Sequence, residues 1–142
     1  MQYTLHLSEQ HLKSLHAYAE RCRPYEAPAL LFGRAEQGEL FVTRVELMKN
    51  TLESTAAFEI DPEEEYRLLV EAEQRGEEML AIFHSHPAPP RPSSSDLANM
   101  RLNPVVWLIA SRQQDHWESR PFILDGGKAV EVRMSIEEPD TY

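Results

Sequence analysis

The chain is 142 residues long, 42% apolar and 27% charged, which bounds it to one soluble globular domain with a single sizeable core. Its formal net charge of −10 argues against a nucleic-acid surface, and its single cysteine, Cys22, excludes an internal disulfide and a four-cysteine structural zinc site. No basic, apolar leader opens the sequence and no stretch reaches the length of a membrane span, so the expected location is the cytoplasm.

Tyr3, Leu5 and Leu7 alternate with polar neighbours and predict a strand over 3–7. Ser8 is a good N-cap and Glu9 suits the first turn of the helix that follows. Leu12, Leu15, His16, Ala19 and Cys22 keep helical spacing until Pro24 stops it. His11 and His16 are five apart, off ligand spacing, and read as surface or boundary residues. Residues 29–34 are a compact apolar run, hence a core strand; Gln37-Gly38 is a turn and 40–48 the returning strand. Residues 50–57 are small and polar, a loop, and Phe58-Glu59-Ile60 is expected as a short strand. Asp61 caps a helix with Pro62 at its first position and Glu63, Glu64 and Glu65 in its first turn. Those glutamates read as helix-start charges rather than a metal cluster. The expected apolar stripe is Tyr66, Leu69, Val70 and Ala72, and Gly76 ends the helix.

Residues 79–83 then read as a buried strand. Continued to His86, it projects His84 and His86 from one face, with Ser85 pointing to the other in a structural role. Pro87 to Pro92 contains four prolines, which stiffen the loop. The serine triplet Ser93-Ser94-Ser95 caps a helix from Asp96 to Leu102, and the loop can fold Asp96 back toward the histidines. Two imidazoles and a carboxylate leave a coordination position open, the arrangement of a catalytic zinc site, where water is acidified to a pKa of about 7. Residues 105–110 form a central strand. Residues 117–124 and 129–134 form a hairpin around Asp125-Gly126-Gly127. Residues 136–142 are acidic and read as a loose tail. Helices between hairpin-linked and crossover strands imply a mixed α/β fold. Other hydrolytic signatures are absent: no helical H-E-x-x-H, no deaminase H-x-E with P-C-x-x-C, no G-x-S-x-G.

His84-Ser85-His86-Pro87 followed by Ser93-x-x-Asp96 closely resembles the signature of the JAMM (MPN-plus) metalloprotease family, compact bacterial type. Glu26, in the segment 25–33, matches the family's upstream glutamate; Phe58 to Pro62 matches the segment that opens the helix before the histidine strand. The likeness spans about residues 5–133. Two departures stand out: Pro28-Ala29 replaces the family's small residue and glycine after Glu-Ala, and the loop before Ser93 is about one residue short.

The resemblance implies a curved mixed sheet flanked by helices, cytidine-deaminase-like in architecture, over residues 1–135, with 136–142 as tail. It implies one Zn2+ per chain held by His84, His86 and Asp96, with catalysis by Glu26 as proton shuttle and Ser93 as donor to the oxyanion. Read without it, Glu26 is an exposed loop residue, and the N-cap falls to Ser94 or Ser95 more readily than to Ser93. The resemblance further implies cleavage after the C-terminal Gly-Gly of a ubiquitin-like or sulfur-carrier protein, releasing cysteine, another amino acid or a lysine-linked protein. A thin tail of that kind can add to a strand edge. The rival readings are a non-catalytic MPN-like interaction module and a zinc hydrolase of small peptide amides. No nucleic acid or membrane partner is expected, and a homodimer is left open.

Overall fold

A computed structural model describes residues 2–87 and 89–138. In chain order the elements are β1 (Thr4–Ser8), α1 (Glu9–Cys22), β2 (Pro28–Glu36), β3 (Glu39–Leu47), α2 (Pro62–Gln74), β4 (Glu78–Ser85), α3 (Ser94–Leu102), β5 (Val106–Gln113), β6 (His116–Asp125), β7 (Lys128–Glu131) and β8 (Arg133–Glu137). The strands join one mixed sheet in the order β7-β6-β5-β4-β2-β3-β1-β8. β1 runs parallel to both β3 and β8, and β4 parallel to β5, while the remaining pairs are antiparallel.

The period of two along the central strands divides the core between the faces. Ala29 and Leu31 of β2, Ala81 and Phe83 of β4, and Leu108 and Ala110 of β5 pack with Leu15 and Ala19 of α1. Their alternates Leu30, Phe32, Ile82, Trp107 and Ile109 pack with Leu68 and Ala72 of α2 and Met100 of α3. The pairing slips on both sides of β2: it pairs Leu31 with Ala81 but Phe32 with Met79, so Leu80 is the extra residue of one bulge, and it pairs Phe32 with Arg44 but Gly33 with Val42, so Thr43 is the extra residue of another. Beside it, a Cβ on Gly33 would lie 1.8 Å from the Phe41 carbonyl oxygen, so only glycine permits this approach of β2 to β3.

The sheet is strongly curved. β7 and β8 are separated in sequence by Val132 alone, yet they stand at opposite ends of the strand order. The sheet therefore curls until its two edges approach. Val132 N–H bonds the Pro121 carbonyl on one side, and Arg133 N–H bonds the Tyr3 carbonyl on the other. His6 of β1 ties its two neighbouring strands together, its ring nitrogens each 2.7 Å from a carboxylate, Glu39 on β3 and Glu137 on β8.

Several expectations change. The stretch 129–134 is two strands, because Val132 is where the chain leaves β6 for β1. β8 runs through Glu137, so the boundary expected at residue 135 falls inside a strand; the end of the expected tail, 139–142, lies outside the described residues. Phe58-Glu59-Ile60 is not a strand. It is tied instead to Asn50 and Thr51, the Thr51 N–H reaching the Glu59 carbonyl. The buried face of α2 is Leu68 and Ala72, and Tyr66 is 69% exposed. Glu65, three before Leu68, shares that face, and burial raises its pKa. Cys22, His11 and His16 are half-buried, and His16 bonds the Ser119 hydroxyl. Among the described residues no helix is long and apolar enough to cross a membrane.

Candidate metal centre

β4, α3 and β5 form a crossover unit, and the site lies where β4 ends and α3 begins, the usual place for ligands in sheets with parallel strands. His84 and His86 leave β4 on the face of α2 and α3. The strand pairing stops at Ser85, but the His86 N–H still bonds the Ala110 carbonyl of β5, so the alternation carries on to the second histidine. Ser85 points the other way, as expected. Its hydroxyl accepts the Ala27 N–H at 2.9 Å and its own N–H bonds the Ala27 carbonyl, which docks the residue after Glu26 onto β4.

Asp96 arrives through the start of α3. The helix begins at Ser94, two residues earlier than expected, and Ser93 is its N-cap. The Ser93 hydroxyl accepts the Asp96 N–H at 3.2 Å, and Asp96 Oδ2 accepts the Ser93 N–H at 2.8 Å, a reciprocal capping box. This fixes the carboxylate. Asp96 Oδ1 lies 3.2 Å from His84 Nε2, and Oδ2 lies 3.8 Å from His86 Nε2. One ligand atom from each of the three buried residues falls within 4.8 Å of the others.

The donor set fits a zinc ion. Two imidazoles and a carboxylate at bond lengths of about 2.0–2.1 Å form a tetrahedral face with edges of about 3.3–3.4 Å. His84 Nε2 and Asp96 Oδ1 are near that spacing yet lack the alignment of a hydrogen bond, and His84 Nδ1 is buried with no hydrogen-bond partner among the described residues. Burying these groups without a cation has a cost that a cation would remove. The ring of His84 is oriented by packing: Phe58 stacks on it at 5.0 Å and Trp107 meets it edge-on at 5.6 Å. Burial opposes ionisation of Asp96, but the His84 ring and the Ser93 amide overcome it and hold the carboxyl at about 2.

Glu26 is not the exposed loop residue that its sequence alone suggests; it is 5% exposed. Its backbone is held by the loop after β3. The Glu26 N–H bonds the Ser54 carbonyl, and its carbonyl accepts from Asn50 Nδ2 at 3.1 Å. Pro28 opens β2 without disturbing this, its own carbonyl accepting the Met48 N–H. Burial, with Asp96 adding like charge, pushes the Glu26 carboxyl up to about 8. Glu26 and His86 line one cavity of about 280 Å³. Ser93, by contrast, is exposed at the start of α3, 3.1 Å from the Ser95 hydroxyl. Its oxygen accepts in the cap, and either hydroxyl can donate in the contact with Ser95.

Asn50 was invisible as a functional residue in the sequence, where it is one more polar loop residue. It is buried, and its amide is fully used: Nδ2 donates to the Glu26 and Ala57 carbonyls, and Oδ1 accepts the Leu52 and Glu59 N–H groups. One side chain thus anchors Glu26 and the segment that lays Phe58 on His84. Replacing Asn50 by alanine leaves these four backbone groups without that partner. Asn50→Ala is expected to cost about 1–3 kcal/mol in urea unfolding; a loss below roughly 0.5 kcal/mol would show that water replaces the amide.

The comparisons agree with this geometry. A family model of prokaryotic homologues of the JAB domain matches residues 8–122. A curated desampylase of Pyrococcus furiosus is 40% identical over 114 residues, 79% of this chain and 76% of that protein. A protein of Desulfitobacterium hafniense, solved in solution, superposes with a TM-score of 0.83 at 29% identity, covering 95% of this chain and 94% of its own. The chain belongs to the prokaryotic JAB-domain branch of the JAMM (MPN-plus) family of hydrolases.

Proposed function

We propose that the chain is a zinc-dependent peptidase or isopeptidase of the cytoplasm, cleaving the amide bond after the C-terminal Gly-Gly of a ubiquitin-like or sulfur-carrier protein. The observation that carries this reading is the convergence of His84, His86 and Asp96 beside a buried, cavity-lining Glu26. A relative named for desampylation supports the carrier-protein substrate.

His84, His86 and Asp96 would hold the ion. When bound, it supplies positive charge that acidifies water and polarises the scissile carbonyl. Glu26 takes a proton from the attacking water and delivers it to the leaving nitrogen. The water oxygen bonds the acyl carbon, the C–N bond breaks, and the products are a carboxylate and a free amine. The Ser93 hydroxyl donates to the carbonyl oxygen as its charge grows. The capping box holds that hydroxyl in place, so one serine both caps α3 and serves the reaction.

The test is hydrolysis of a carrier protein whose Gly-Gly end is joined to an amine, with zinc content measured on the same sample. Chelation should abolish turnover and added zinc restore it. A protein that keeps no zinc and cleaves nothing is a binding module instead; cleavage of small peptide amides alone points to the other rival. Ser93→Ala should keep its zinc and slow turnover by about 10²–10³-fold; an unchanged rate would leave Ser93 as a cap only.

A further inference from the structure

The cavity that Glu26 and His86 share has other lining residues that the hydrolytic centre does not use. It is also lined by Arg23, the C-cap of α1, by Arg112, near the end of β5, and by Tyr25 and Trp117. Both guanidinium groups are drawn together by Glu20. Arg23 Nη1 lies 3.1 Å from one carboxylate oxygen of Glu20; Arg112 Nε lies 3.2 Å from the other, which also accepts the Trp117 indole N–H at 3.1 Å. One carboxylate thus holds two cations, which leaves a surplus positive charge in a chain whose formal net charge is −10.

The donors are not exhausted. Among the described residues Arg112 spends its Nε, and Arg23 its Nη1, on Glu20. A guanidinium has five N–H groups arranged for a carboxylate. The pairs with Glu20 are partly exposed, so they are weak and can be shared with an incoming anion. The pocket is also small. At about 280 Å³ it falls below the usual range for drug-sized ligands, and an extended protein tail would not be enclosed by it.

We propose that this cavity is the leaving-group subsite and that Arg112 and Arg23 take the free α-carboxylate of an amino acid released from the carrier's C-terminal acyl group. This rests on the reading of the metal centre as an amide hydrolase. The scissile nitrogen of such a residue is one Cα from its carboxylate. A nitrogen within reach of Glu26 therefore sets the carboxylate in the same cavity. A lysine joined through its ε-amine has four methylenes between nitrogen and Cα, and within a protein chain it carries no carboxylate there. The walls formed by Tyr25 and Trp117 suit a small or apolar side chain.

The experiment compares the zinc-loaded protein on two substrates: a ubiquitin-like carrier ending in Gly-Gly-Ala with a free carboxylate, and the same carrier ending in Gly-Gly-alaninamide. The free acid is expected to be preferred by about 10- to 100-fold in kcat/KM, the effect of a charge-assisted pair. In Arg112→Gln and in Arg23→Gln the acid-to-amide ratio should fall toward one, a readout that a merely structural role would not move. Equal, measurable cleavage of both substrates by the unmodified protein would overturn the subsite and leave the hydrolase standing. Cleavage of neither would overturn both.

Discussion

Asp96→Ala is expected to lose zinc, with the loss read directly as metal content after dialysis and as affinity in chelator competition. Two effects combine in this one side chain. The carboxylate is the only anion among the three candidate ligands, so without it the site has two neutral imidazoles to hold a doubly charged ion. The substitution also removes half of the capping box, because Asp96 Oδ2 accepts the Ser93 N–H. Loss of a cap alone costs about 0.5–2 kcal/mol. Binding zinc at a thousand times its Kd adds about 4 kcal/mol to the stability of the native protein. The unsubstituted protein should therefore melt much later with zinc than without it, and Asp96→Ala should melt at one temperature in both conditions. Asp96→Asn separates the two effects, since an amide oxygen can still accept the Ser93 N–H while the ligand charge is gone. A variant Asp96→Ala that retained one zinc per chain would remove Asp96 from the ligand set.

The parts of this site that could be read from the sequence are those set by local periodicity. Spacing two on a strand places His84 and His86 on one face whatever surrounds them, and a serine triplet ahead of a helical run marks a cap, although the cap is Ser93 and not Ser94 or Ser95, to which the residues alone gave it more readily. What the sequence concealed depends on contacts between distant segments. Glu26 is placed by Ser54, Asn50 and Ser85, which lie 24 to 59 residues away, and no local pattern marks such pairs. The α2 stripe went astray because the helix offers apolar residues on more than one side: Leu68 and Ala72 meet the sheet, while Tyr66 and Leu69 are left outside. The hairpin after Gly127 was legible, its ending was not. Nothing around Val132 announces that the chain crosses from one edge of the sheet to the other, since that step exists only because the sheet curls. The Arg23–Glu20–Arg112 cluster was hidden for a similar reason: its members lie on α1 and β5, which only the folded sheet brings together.

Glu26→Gln is the complementary case, in which zinc should stay and hydrolysis should go. Glutamine keeps the shape of the side chain, and the main chain at residue 26 is fixed by Ser54 and Asn50 rather than by the carboxyl group, so the position of the side chain should survive. What is lost is the ability to accept a proton, and a fall in kcat of at least about 10²–10⁴-fold is expected, with KM little changed. The metal-free protein gives a second, independent reading. Burial pushes the Glu26 carboxyl from 4.5 up to about 8 in the folded state. A group raised in this way contributes stability that is full below its unfolded pKa and is lost as the pH rises through its folded one. Between pH 5 and 9 the metal-free protein should therefore lose stability that Glu26→Gln does not lose, visible as a pH-dependent difference between their urea midpoints. The depressed Asp96 carboxyl, at about 2, titrates outside that window and leaves the difference to Glu26. Bound zinc should shrink the difference, because a cation beside Glu26 favours the carboxylate and so prepares it to receive the proton. Undiminished turnover in the variant, or parallel stability curves without metal, would take Glu26 out of the proton path.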